Sequence, residues 1–186
     1  MDGDIPGLSE LYEAVVTEDM ARVRELVENG ARVAWEPPPF DESPLHATAM
    51  KGRADVLELL IDAGGRAFLN TFSYLHEAPL TAAARNGHVD AVRVLLEADS
   101  DLDAHDESNV GNTALQEAVE TVFEPVVALL LRAGANPNIR GWMQLNAVNR
   151  AEMRCAATAT SQAGASSPPF ATRRENFRTS RFRFPE

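Results

Sequence analysis

Four leucines, Leu11, Leu45, Leu80 and Leu115, stand 34, 35 and 35 residues apart in a chain of 186. Their surroundings repeat with them. Twelve, fifteen and sixteen residues after each comes an apolar trio: Val23, Leu26 and Val27; Leu57, Leu60 and Ile61; Val92, Leu95 and Leu96; Val127, Leu130 and Leu131. That spacing lies on one face of a helix. A turn follows each trio, Asn29-Gly30-Ala31, Ala63-Gly64-Gly65, Ala98-Asp99-Ser100 and Ala133-Gly134-Ala135. In the clearest copy, residues 78–103, the pattern predicts a helix over 80–86, a turn at Gly87-His88 and a second helix over 90–97. The first helix is nearly all alanine on one side, so its backbone can approach a neighbour closely. A hairpin this thin cannot bury its own apolar face, and four in a row exceed the three or so that stacking requires.

The first-helix motif reads Ser43-Pro44-Leu45-His46, then Ala78-Pro79-Leu80-Thr81, and more loosely Thr113-Ala114-Leu115-Gln116. With Gly52, Gly64, Gly87-His88 and Gly134-Ala135-Asn136-Pro137-Asn138, it resembles the ankyrin repeat, whose first helix carries T-P-L-H-x-A. The resemblance covers about residues 8–138. It implies an all-α, ankyrin-type helical-hairpin solenoid with finger loops, in units of about 8–34, 43–68, 78–103 and 113–138. Residues 1–7 are a lead-in, 139–157 a C-terminal capping segment in which Trp142, Leu145 and Val148 lie over unit 4, and 158–186 a low-complexity, Arg/Phe-rich tail. Unit 1 lacks the proline and the inter-helix glycine, and unit 4 has Val122-Phe123 where Gly-His belongs. An end unit has one stacking neighbour, so departures fit there. By the same template the next first-helix leucine falls near position 150, an arginine.

Charge is lopsided. Residues 1–138 carry 25 acidic and 9 basic side chains, whereas 139–186 carry 3 and 8. Repeats this acidic repel phosphates, which argues against nucleic acid or an anionic membrane and for a basic or apolar partner. The single cysteine, Cys155, permits no internal disulfide and suits a reducing compartment. No apolar run approaches the roughly 18 residues of a membrane span, and the acidic N-terminus has no secretory pattern. The expectation is an intracellular monomer, in cytoplasm or nucleus, without a cofactor or metal.

The loops carry the candidate contacts. The first finger, residues 33–42, holds Trp35 and Phe40 around three prolines, and these aromatics either pack on the next finger or meet a partner. The second, residues 66–77, has Phe68 and Phe72 nearer the stack and Tyr74 and Leu75 nearer the tip. The third is polar, and its Asp-x-Asp run lacks the turn glycine and closing glutamate of a calcium loop. Ser9 and Asp19 are expected to cap the helices of unit 1, Ser43 that of unit 2, and Phe123 to close the end of the stack. Residues 156–169 are low complexity. The segment 170–186 interleaves five arginines with four phenylalanines, which suits RNA, a membrane surface, the chain's own acidic repeats or no contact at all.

In proteins of this resemblance the partner lies on the concave face formed by finger tips and exposed first-helix ends. The corresponding residues are Trp35, Phe40, Glu42, Met50, Tyr74, Leu75, Glu77, Arg85, Val110, Asn112 and Glu120. They form an apolar strip rimmed by carboxylates, suited to a protein segment with apolar anchors and Lys or Arg at its edge. The function implied is a non-catalytic protein-binding adaptor. The alternative is an enzyme or small-molecule binder using a pocket on that face, with His46, His76, Glu42, Glu77 and Glu117 as acid–base groups. No Ser-His-Asp order, H-E-x-x-H or phosphate-binding glycine loop supports it.

Overall fold

The computed structural model describes residues 8–31, 43–106 and 111–163, and side chains from residue 10 to residue 157 within that span. Among them the chain forms helical hairpins and no strand: α1 (Leu8–Val16) with α2 (Met20–Glu28), α3 (Pro44–Lys51) with α4 (Ala54–Asp62), α5 (Pro79–Arg85) with α6 (Val89–Glu97), and α7 (Ala114–Thr121) with α8 (Glu124–Ala133). A ninth helix, α9 (Ala147–Ala163), ends the described residues. First helices pack in one row, α1, α3, α5, α7, α9, and second helices in another, α2, α4, α6, α8. The result is the all-helical solenoid that the leucine spacing implies.

The framework leucines are what hold it. Leu11, Leu45, Leu80 and Leu115 are each at most 1 % exposed, and each contributes about 1.5–3 kcal/mol by leaving water. Ala82, Ala83 and Ala84 are buried between α3 and α7. Side chains this small let three first helices lie close together, which a bulkier residue at Ala83 would prevent.

Local chemistry fixes where the helices begin. Asp19 accepts from the Arg22 amide and Ser43 from the His46 amide. Thr113 and Gln116 form a reciprocal capping box. Pro44, Pro79 and Pro125 occupy first-turn positions, where a missing N–H is harmless. Ser9, expected as a cap, instead lies inside α1, which starts one residue earlier.

The inter-helix turns explain the departures in units 1 and 4. A side chain added at Gly52 would strike the His88 ring, and one added at Gly87 would meet Phe123 at 2.6 Å. The residue opening each second helix thus covers the turn of the preceding unit. Arg53 does so over unit 1, where Glu18 takes the left-handed position and reaches Lys51 at 3.0 Å and Arg53 at 3.9 Å. Phe123 therefore packs between units 3 and 4 and does not close the end. Val122 is left-handed at φ 63° and 39 % exposed. Its side chain is partly open to solvent, so packing tolerates it.

The template continues past Asn138. Asn146 precedes α9 and accepts from the Asn149 amide at 2.8 Å, while Asn149 accepts in return from the Asn146 amide. This places Asn146 in register with Ser43, Ala78 and Thr113, at spacings of 35, 35 and 33. The framework position of the fifth first helix is therefore Val148, and Arg150 lies two residues beyond it. Helix α9 runs to Ala163, the last described residue, well past the position where the other first helices turn.

Candidate functional site

Counted from the residue that opens each first helix, equivalent positions line one face of the stack. Seven residues on stand Met50, Arg85, Glu120 and Met153; four and three residues before stand Tyr74 and Leu75 in finger 2 and Trp142 and Met143 in finger 4. Pro39 and Phe40, and Asn109 and Val110, are the equivalents in fingers 1 and 3. The candidates Trp35, Phe40, Glu42 and Val110 lie outside the described residues.

Finger 2 is a tight turn. The Ser73 amide donates to the Glu77 carbonyl, the His76 amide to the Ser73 carbonyl and the Leu75 amide to Ser73 Oγ, with His76 left-handed at φ 58°. Two successive side chains, Tyr74 and Leu75, are pushed outward and are 56 % and 43 % exposed. Phe68 packs against the core. Finger 4 repeats the device: the Gly141 amide donates to the Leu145 carbonyl, Gln144 is left-handed, and Trp142 and Met143 are 59 % and 62 % exposed.

The charged candidates are engaged. Glu77 is nearly covered and pairs with Arg85 at 2.7 Å. Glu120 meets Arg150 at 3.3 Å and Arg154 at 3.7 Å. Asn112 is the junction at this end: its Oδ1 accepts from the Trp142 amide at 2.9 Å and from Arg150 at 2.8 Å, and its Nδ2 donates to Glu117. Arg150 is 5 % exposed, also donates to the Trp142 carbonyl, and keeps one guanidinium nitrogen, Nε, without a partner. Asn112 and Glu120 thus brace finger 4 and α9 against unit 4. Met50 is 37 % exposed, and its carbonyl bonds to His88 Nε2 at 2.9 Å.

The acid–base candidates do not converge on one point. His46 is buried, with Nδ1 at 2.7 Å from Ser43 Oγ and Nε2 at 2.9 Å from the Glu77 carbonyl. A carbonyl only accepts, so Nε2 carries the proton and Nδ1 accepts from the serine. Burial pushes the ring down to about 4, against the opposing pull of its bonds to the Glu77 and Thr71 backbone. The imidazole is neutral and serves as a rivet between units 2 and 3. Gln116 does the same work between unit 4 and finger 4, donating to the Leu145 carbonyl at 3.1 Å and to Ile139 at 2.6 Å. His76 pairs with Asp106 at 2.8 Å, whereas Glu117 bonds to Asn112 and Glu77 to Arg85. Glu42 lies outside the described residues. In finger 3, Asp101 and Asp103 each accept a backbone N–H, from Asp103 and Asn136 respectively.

A groove of about 520 Å³ opens at the C-terminal end of this face. Trp142, Met143 and Leu145 of finger 4 form one wall, α9 gives the other through Met153 and Arg154, and Glu120 of α7 contributes to the lining. None of His46, His76, Glu77 or Glu117 lines it. The sequence signal for this groove is the run Leu145-Asn146-Ala147-Val148, which matches the template only after a two-residue deletion.

Among the described residues no helix is long and apolar enough to cross a membrane. A family model described as ankyrin repeats (3 copies) matches residues 11–106 and, again, 68–141. No curated protein matches the chain.

Proposed function

The chain belongs to the ankyrin-repeat family, whose members are generally protein–protein interaction modules, and from that premise we propose that it is a non-catalytic adaptor holding a protein segment across its finger face. The observation that carries this reading is the pairing of two outward-facing apolar finger tips, Tyr74-Leu75 and Trp142-Met143, with exposed methionines at equivalent first-helix positions, Met50 and Met153. Aromatic and methionine side chains on an otherwise polar surface are the usual energetic centre of an interface. The partner is a segment with spaced apolar anchors and basic residues that face the acidic repeats. Cys155 and the acidic charge suit an intracellular setting.

An affinity capture from native cells tests this with two variants. Changing Tyr74, Leu75 and Trp142 together to Ala is expected to abolish retention of the partner, while Glu58→Ala with Arg93→Ala, on second helices, leaves it intact. Loss from the second pair and retention by the first, with both folded, would overturn the reading.

A further inference from the structure

We propose that the C-terminal groove is occupied in cis by the chain's own segment around Phe170. Three apolar side chains converge there, Trp142, Met143 and Met153, with 59, 62 and 57 % of their surface exposed. They belong to finger 4 and α9, the last elements before residue 164. The groove therefore has a wall that is covalently continuous with its occupant.

Reach permits it. From Ala157, on the groove, α9 carries the chain about 9 Å away by Ala163, at about 1.5 Å per residue. The seven residues from 164 to 170 span up to about 23 Å when extended, more than enough to return. Gly164 stands directly after the helix, the position where a glycine most readily lets a chain leave and reverse. A tether this short sets an effective concentration on the order of millimolar, so even a weak contact is populated.

Charge fits the same path. The lining carboxylate, Glu120, is already held by Arg150 and Arg154, so the groove favours an apolar, uncharged entrant. Residues 165–172, Ala-Ser-Ser-Pro-Pro-Phe-Ala-Thr, carry no charge. The first arginine, Arg173, comes three residues after Phe170, up to about 10 Å farther along. The segment carries five arginines against two glutamates over 164–186, opposite in sign to repeats that carry 25 acidic and 9 basic side chains. Phe170 is the anchor and the arginines are the steering charge. A partner using the groove must first displace this segment.

The test needs no partner, so its outcome is separable from the adaptor reading. The full chain has five methionines, and with labelled methyl groups each gives its own NMR signal. Docking places an aromatic ring beside Met143 and Met153, so Phe170→Ser is expected to shift both signals, leave Met20 unmoved and remove methyl-to-ring cross-peaks. The triple variant Phe177→Ser, Phe182→Ser, Phe184→Ser should leave those peaks in place. Unchanged Met143 and Met153 signals in Phe170→Ser would overturn the proposal. So would cross-peaks that vanish on dilution, which would assign the occupant to a second copy of the chain.

Discussion

At single positions, the structure turns sequence departures into quantities. Val122 holds a left-handed backbone with its side chain partly exposed, and for a β-branched residue that conformation is strained by about 1–2 kcal/mol. Val122→Gly is therefore expected to stabilise the fold by about 1 kcal/mol after the added flexibility of the unfolded chain, read as a higher urea midpoint. Gly87→Ala should do the reverse, by about 2–3 kcal/mol, because the new methyl meets the Phe123 ring in the same left-handed turn. His46 makes the fold sensitive to acid. The unfolded chain takes up its proton near pH 6.5 and the folded ring only near 4, so between those values the unfolded state binds more protons. Stability is unaffected above 6.5 and falls by up to about 3 kcal/mol as pH drops to 4. His46→Gln, which copies the bond that Gln116 makes one unit from the end, should remove that slope in urea titrations run between the two pH values.

At the level of elements, the hairpins follow from periodicity while the fifth first helix does not. Leu45, Leu80 and Leu115 announce their helices because each is followed by an intact apolar trio; Val148 does not, because its spacing shortens to 33 and an arginine stands two residues later. What seats α9 is instead a polar junction. Arg150 is buried among Asn112, Glu120 and the Trp142 carbonyl, and such networks leave no periodic trace in a sequence. For the same reason Asn112 and Glu120 read as free surface from register alone. The two sides of the junction should respond unequally. Asn112→Ala leaves a buried guanidinium and the Trp142 amide short of an acceptor and is expected to cost about 2–3 kcal/mol. Arg150→Met removes the buried charge along with its needs and should cost less than about 1 kcal/mol. Amide exchange along α9 measures both, and equal losses would deny the junction its role.

Over the whole molecule, one row of helices supplies rigidity and one face gathers exposed apolar side chains. The first helices press small and branched side chains together, and their exposed ends and fingers repeat every 33 to 35 residues, so apolar groups recur along a single side of the stack. The face carries Tyr74 and Leu75 midway and Trp142, Met143 and Met153 at the C-terminal end, an arrangement suited to an extended segment anchored at intervals. Site-specific photo-crosslinking in native cells addresses that claim most directly, with the reactive group placed in turn at Tyr74, Trp142, Glu58 and Arg93. Crosslinks to the same partner from Tyr74 and Trp142, and none from Glu58 or Arg93, are the predicted result; a partner captured from Glu58 and Arg93 alone would contradict it.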